Sequence, residues 1–289
     1  MILLAFGGLG NQLFSLASAL HIAERRNTAV VVIAGNRELA EKYNQIRRKT
    51  QRKSRGKVLL IYSPRVNRYL DNLISYVENR TNLRYLKFLH LNRKLLTMTK
   101  PWDFPREILN QDTSLPWILR GFLQQPSLID ELSIENQKII IHILGGEKND
   151  NGNTMKIGIH LRRGDYLSIP SYGILTFDYF YGILETIGSI NCQLYVASDD
   201  ESTLASFGRE FKRVLLAAEE FSPLKTMQIL SRVDFFLMSN STFSFWIGWK
   251  VLMSGGKVFA PIPWFRSVEV PRNYLYLKNF NLVQSYFED

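Results

Sequence analysis

His160, Arg162 and Arg163 close an alternating apolar run, Ile157-Gly158-Ile159-His160-Leu161, and Gly164-Asp165 opens the turn behind it. The alternation predicts a buried strand. In an open α/β sheet, ligands gather at the carboxyl ends of strands, so these side chains stand where a ligand would bind. Neighbouring arginines leave a strand on opposite faces, so one can face the ligand while the other packs beneath it. A permanently charged planar fork suits a phosphate. An arginine–aspartate pair can equally do no more than tie off a strand, so the other strand ends matter. Asp199-Asp200 follow the run Gln193–Ser198, and Ser239, Asn240, Ser241, Thr242 and Ser244 stand where a later strand gives way to a helix. A hydroxyl-lined helix start favours phosphate through its free N–H groups and dipole, although Ser241 or Thr242 would serve as well as an ordinary N-cap. Asp199 or Asp200 could accept two hydrogen bonds from guanine N1–H and N2–H₂, or could cap the helix that follows. Together these groups describe a nucleotide-diphosphate pocket with a cation, a hydroxyl and amide cradle, and a carboxylate for the base.

The elements that must hold them fall into two halves. MILLAF reads as a strand, Gly7-Gly8-Leu9-Gly10-Asn11 as a glycine loop, and Leu13, Leu16, Ala17, Leu20 and Ala23 as the apolar stripe of a helix. Such a loop lets backbone N–H groups approach an anion, and its spacing departs from the G-x-G-x-x-G of dinucleotide sites. Thr28–Ile33 and Val58–Tyr62 read as further strands, and Asn67–Met98 as mostly helical. Pro101, Pro105 and Pro116 then break the chain, and Trp117–Asp130 reads as strand, turn and proline-started helix. Gly145–Thr154 is apolar-free and reads as a linker, which predicts domains over 1–150 and 151–289. Beyond it strands and helices alternate, including a strand over Arg213–Ala217 and an amphipathic ending. This order predicts an α/β fold with a parallel, doubly wound sheet.

Composition narrows the function classes. The chain has 289 residues, 46% hydrophobic and 21% charged, an ordinary globular balance. The single Cys192 excludes a disulfide framework and suits a reducing compartment. No apolar run is long enough to span a bilayer, and MILLAFGGLG lacks the positive start of an export signal, so a cytoplasmic protein is expected. His21, His90, His142 and His160 are scattered without zinc-ligand spacing, and no G-x-S-x-G or Cys/His nucleophile pattern occurs. Residues 1–155 hold 23 Lys/Arg against 13 Asp/Glu, whereas residues 156–289 hold 13 of each. The excess is densest over Ile46–Lys57. It reads either as a solvated basic face or as a patch for an anionic membrane surface on the inner side. Nucleic acid is not expected, because no binding motif accompanies the charge.

Six segments, GGLGNQLFSLA, IGIHLRRGDYL, YGILTFDYF, LYVASDD, SNSTFSFWIGW and APIPWF, stand in this order along the chain. In them the sequence resembles the α1,2-fucosyltransferases of bacteria and animals, glycosyltransferase family 11. The likeness covers most of the second half, while the first half matches at its opening and loosely at GFLQQP. It implies two Rossmann-like domains facing each other (the GT-B type), an acceptor-side N-terminal domain, and a C-terminal domain that binds GDP-fucose. It also implies that no metal or other cofactor is needed.

By the same resemblance Arg162 binds the β-phosphate and assists its departure. His160, Arg163, Asp199, Asp200, Ser241, Thr242 and Ser244 hold the donor with it, and Gly8, Gly10 and Asn11 lie at the reaction centre. Two positions depart from the pattern: Tyr172-Gly173 replaces His-Gly, and Ile262-Pro263 replaces a basic pair before Trp264-Phe265. The implied reaction is inverting transfer of L-fucose to a galactose hydroxyl, in α1,2 linkage, of a lipid-linked oligosaccharide or surface polysaccharide. The acceptor base is Asp165 or the Glu219-Glu220 pair, or a hydrogen bond from Asn11 suffices. The competing expectation is a non-catalytic nucleotide-sugar or glycan-binding protein of the same fold.

Overall fold

The computed structural model describes residues 1–50, 57–70, 72, 96–98, 106–111, 115–116, 118–146, 154–188, 192–210, 221–267 and 275–288. The strand expected over Arg213–Ala217 and the Glu219-Glu220 pair lie outside these residues, as do 51–56 of the basic segment. The chain divides into two compact units, Met1–Ile143 and Leu144–Asp289, where 150/151 is the boundary expected from sequence.

In the first unit β1 (Ile2–Ala5), β2 (Ala29–Ala34), β3 (Lys57–Tyr62), β4 (Leu96–Met98) and β5 (Ile118–Arg120) form a sheet in the order β3-β2-β1-β5-β4. Every pairing is parallel. Leu96–Met98, read from sequence as the end of a helical stretch, is instead an edge strand paired with β5. Three residues carry no period, and each ladder partner is 22 residues away. Helix α1 (Leu9–Arg25) buries the expected apolar stripe Leu13, Leu16, Ala17, Leu20 and Ala23, and every other residue from Gln12 to Ala23 with it, so it is a core helix with more than one covered face. It ends where Asn27 takes a left-handed φ of 47°, a conformation asparagine tolerates after a helix. Helices α2 (Arg37–Thr50), α3 (Pro126–Asp130) and α4 (Ile134–Ile143) also belong to this unit, with a 3-10 turn over Arg106–Leu109.

The second unit repeats the plan. β6 (Met155–Leu161), β7 (Cys192–Ser198), β8 (Phe235–Leu237), β9 (Lys257–Ile262) and β10 (Asn281–Gln284) form an all-parallel sheet in the order β10-β9-β8-β6-β7. The ending read only as amphipathic is the edge strand β10. Helices α5 (Phe177–Ile187), α6 (Glu201–Glu210), α7 (Pro223–Leu230) and α8 (Thr242–Met253) connect or flank the strands. α8 is buried on nearly every side: Phe245, Trp246, Ile247 and Val251 are fully buried, and so are Ser244 and Lys250. A helix buried all round belongs to the core, and Gly248 lets it approach, since a Cβ there would meet Met238 Sδ at 3.0 Å and Val258 at 3.1 Å. This packing fixes the start of α8 beside the end of β8. Two α/β units with parallel sheets are the fold class expected from sequence. Among the described residues no helix is long and apolar enough to cross a membrane.

Candidate active site

In the second unit the chain leaves β6 to one side for β7 and later returns on its other side as β8. The reversal leaves a crevice at the carboxyl ends of β6 and β8, the usual ligand position in open α/β sheets. His160 and Arg162 stand at the first of these ends, and Ser239, Asn240 and Ser241 at the second.

His160 is 5% exposed. Its Nδ1 lies 2.9 Å from Ser239 Oγ and 2.7 Å from Ser244 Oγ, and its ring centroid is 4.8 Å from that of Phe243. Burial first, then the neighbouring Arg162 charge, pushes its pKa down to about 3, so the ring is neutral and fastens the end of β6 to the start of α8. Between about pH 6.5 and pH 3 the unfolded chain binds a proton here that the folded chain refuses. The contribution is therefore complete above pH 6.5 and is lost as the pH falls toward 3. Buried His21, also lowered, acts in the same direction. Urea midpoints should fall from pH 7 to pH 4.5, and His160→Gln should remove about one proton from that slope, about 1.4 kcal/mol per pH unit. An unchanged slope in the variant would refute the assignment.

Of the expected hydroxyl cradle, Ser241 is the N-cap of α8 and accepts from Ser244 N–H at 3.1 Å. A cap of this kind stabilises by about 1 kcal/mol. Ser244 is fully buried and accepts from Ser239 N–H at 3.2 Å, so it supports the strand end from within. Thr242 is half-buried in the first turn. Asn240 donates through Nδ2 to the Tyr172 and Gly173 carbonyls, each at 3.1 Å.

Arg162 and Arg163 diverge as strand alternation requires. One Arg162 amino group pairs with Asp199 and the other with Asp165, and the guanidinium lies 5.2 Å from the centre of the Tyr166 ring. Its buried Nε finds no hydrogen-bond partner among the described residues. Burial raises the Tyr166 pKa above the ordinary phenol range, so its hydroxyl stays protonated and donates to the Asn240 carbonyl at 2.8 Å. Arg163 donates its backbone N–H to Asp199 Oδ1 at 2.8 Å, while its guanidinium pairs with Glu288. Gly164 admits Asp199 because a Cβ there would run into that carboxylate. Asp200 accepts from Thr203 N–H and Ser202 Oγ, each at 2.9 Å, and from the Thr203 hydroxyl. The Thr203 and Ser202 hydroxyls hold its pKa below the usual carboxylate range. Asp200 is thus the cap of α6, and Asp199 is the bridge between the two arginines. A small cleft is lined by Leu161, Arg162, Arg163, Leu175, Phe177, Phe180 and Thr203.

The first unit carries the glycine loop at the carboxyl end of its β1. Gly7 has φ +75°, and a Cβ on it would meet Asn11 Nδ2 at 2.7 Å and Phe122 at 3.0 Å. Asn11 Oδ1 accepts from Gln124 Nε2 at 2.7 Å. Gln12 donates to the Gly7 carbonyl at 2.9 Å and accepts from Gly35 and Asn36 N–H, tying the loop to the end of β2. Gly8 precedes α1 with no side-chain cap. It is exposed with open space where a Cβ would stand, while Gly10 is buried within the helix. Gln124 lies in a turn where buried Leu123 holds a left-handed φ of 53°, uncommon for leucine.

His160, Arg162, Arg163, Asp165, Asp199, Asp200, Ser241, Thr242 and Ser244 are thus gathered in one unit, and Gly8, Gly10 and Asn11 in the other. Tyr166, Gln12 and Gln124 sit inside segments already singled out but carried no assigned role. Glu288 gave no signal, being one acid in a tail without a motif.

A cationic fork and a capped helix start thus stand at the reversal point of one parallel unit, and a glycine loop stands at a strand end of the other. The chain belongs to glycosyl transferase family 11, whose model matches residues 7–280, and the protein is a glycosyltransferase of that family. It is similar to the O-antigen biosynthesis glycosyltransferase WbnK of Escherichia coli, 26% identical over 295 residues, covering 90% of this chain and 93% of that one. An alpha-1,2-colitosyltransferase of Escherichia coli is 28% identical over 126 residues, 40% of this chain and 43% of that one. Among solved structures, the fucosyltransferase NodZ from Bradyrhizobium matches with 16% identity and a TM-score of 0.47, over 85% of this chain and 90% of that one. The E. coli heptosyltransferase WaaC matches with 8% identity and a TM-score of 0.49, over 98% and 92%.

Proposed function

We propose that the protein transfers L-fucose from GDP-fucose, with inversion, to the 2-hydroxyl of a galactose in a glycan acceptor used for O-antigen or another surface polysaccharide. The observation that carries this is the Arg162 fork at the end of β6. Family membership supports the chemistry, and the WbnK likeness supports the pathway. In the reaction the acceptor oxygen forms a bond to C1 as the C1–O bond to the β-phosphate breaks, its electron pair leaving with GDP. Charge gathers on that phosphate, where Arg162 stabilises the transition state more than the ground state. The acceptor proton passes to Asp165. Open space at Gly8 is in keeping with a close approach of substrate to the glycine loop. A colitosyl donor is the second reading, favoured by the name of the other relative. Colitose lacks the 3-hydroxyl of fucose, so the two nucleotide sugars separate the readings directly.

The first test is GDP release from GDP-fucose against a panel of β-galactosides, with GDP-mannose and GDP-colitose as comparison donors and with or without EDTA. Acceptor-dependent release that survives EDTA is expected. Release abolished by EDTA would refute metal independence. GDP-fucose binding without release for any acceptor would favour a non-catalytic binding protein.

The acceptor is expected to be lipid-linked, with the first unit resting on an anionic membrane surface. Residues 42–70 hold ten Lys/Arg and no acid. Lys57, Arg65 and Arg68 are exposed alongside Leu59, Ile61, Tyr62, Val66 and Tyr69. Basic and apolar side chains that share a surface suit a lipid interface, each cation adding about 1 kcal/mol. Neutralising the seven basic residues from Arg47 to Lys57 should lower binding to anionic liposomes at least tenfold, and unchanged binding would end the idea.

A further inference from the structure

Residues 285–288 run past the end of β10 and are stitched to three segments around the Arg162 site. Ser285 donates through N–H to the Ile262 carbonyl at 2.9 Å and through Oγ to the Pro263 carbonyl at 2.8 Å. The Tyr286 carbonyl accepts from Thr176 N–H at 3.0 Å, and Glu288 N–H donates to the Ile174 carbonyl at 2.8 Å. The Glu288 carbonyl accepts from Arg266 at 3.0 Å. Gly173, with φ +73°, lies so close that a Cβ would collide with Phe287 and Arg266. At the end of this strap both Glu288 carboxylate oxygens meet the Arg163 guanidinium, Oε2 at 2.8 Å from one amino group. The pair is 19% and 35% exposed, shielded enough for a two-pronged contact to hold one geometry.

We propose that Glu288 is a positioning residue for the donor site, acting through Arg163, and that the strap of residues 285–288 sets the strand-end loop. The linkage is continuous. Glu288 fixes the Arg163 side chain, Arg163 N–H fixes Asp199, and Asp199 fixes the Arg162 guanidinium. Asp200 Oδ2, 3.9 Å from Arg163 Nε, adds the start of α6 to the same node. Without Glu288 the Arg163 guanidinium keeps, among the described residues, only Asp200 as a neighbouring carboxylate and is no longer tied to the strap. The strand-end backbone then loosens, the Arg163 N–H no longer holds Asp199 in place, and the fork loses its aim. Arg163 on this view is the anchor of the strap and does not touch the donor. The functional part of the inference rests on the donor reading above, and the experiment separates the two.

The test is amide hydrogen exchange on the ligand-free chain, together with GDP calorimetry, for Glu288→Gln, Glu288→Asp, Arg163→Ala and the exchanged pair Arg163→Glu/Glu288→Arg. Glu288→Gln keeps the side-chain shape and should speed exchange at least tenfold in residues 163–167 and 174–176, while 157–161 of β6 stay protected. Glu288→Asp should restore protection in part, and the exchanged pair should restore it largely. GDP affinity should fall about fivefold in both Glu288→Gln and Arg163→Ala, with no further loss when the two are combined. Unchanged exchange in Glu288→Gln would overturn the proposal, as would loss of protection through β6, which would make the contact a general fold support. Arg163→Ala far more damaging to GDP binding than Glu288→Gln would also overturn it, because Arg163 would then be a direct ligand. If the wild type binds no GDP, the donor reading fails while the exchange experiment still decides the strap.

Discussion

Replacing Arg162 by alanine is expected to cut sugar transfer by a factor of roughly 10² to 10³, the usual loss when one preorganised charge on a developing anion is removed, with the melting temperature within a few degrees of wild type. The two halves of this expectation have separate physical grounds. Activity falls because the guanidinium at the end of β6 is the cation of this strand end that does not already pair with Glu288. Stability is spared because the side chain is 27% exposed, its Asp165 partner 62% exposed, and a solvent-screened ion pair of this kind stabilises by about 1 kcal/mol or less. Asp199 keeps a partner in the Arg163 N–H. Arg162→Lys should fall between, since it keeps the charge and loses the two-pronged geometry. GDP release at saturating donor, with thermal unfolding alongside, decides the matter. Near-normal turnover by a folded Arg162→Ala chain would remove its leaving-group role.

Asp165→Asn should move donor affinity and turnover in opposite directions. Arg162 and Arg163 here stand among four carboxylates, Asp165, Asp199, Asp200 and Glu288, an unfavourable setting for a diphosphate. Asp199 is held by two donors and Glu288 by its strap, so the exposed Asp165 is the carboxylate that can yield its place on Arg162. Removing its charge should tighten GDP binding several-fold, as one competitor for the guanidinium is lost. If the released carboxylate then receives the acceptor proton, the same substitution lowers turnover by about 10² to 10⁴. Tighter binding with unchanged turnover would keep the displacement and transfer the base role elsewhere. Weaker binding would refute the displacement itself.

The legible parts of this architecture were those in which chemistry and periodicity coincide. Alternation through Ile157, Ile159 and Leu161 gave β6, and the strand end then told where His160 and Arg162 must lie. The glycine loop announced itself because Gly7, Gly8 and Gly10 stand between a strand pattern and a helix pattern. Roles within a cluster were less legible. Asp199 and Asp200 are neighbours of one type, and only the hydroxyls of Ser202 and Thr203 decide that Asp200 caps a helix while Asp199 bridges arginines. Ser244 looks like a cradle hydroxyl in sequence, yet a helix buried on every side turns it inward. Contacts of long range left no local trace. Glu288 meets Arg163 across 125 positions, and Leu96–Met98 becomes a strand only because β5 is there to pair with it.

The all-round burial of α8 has a consequence for the thermodynamics of ligand capture. Its first turn, with Ser241 and Thr242, is welded to a core of Trp246, Phe245 and Ile247, so that side of the crevice has almost no freedom left to surrender. The opposite side ends in the exposed Asp165, whose rotamers are many. Whatever entropy is lost when an anion settles at Arg162 is therefore lost on the Asp165 side, and substitutions there should appear mainly in the entropy of binding, those beneath α8 mainly in its enthalpy.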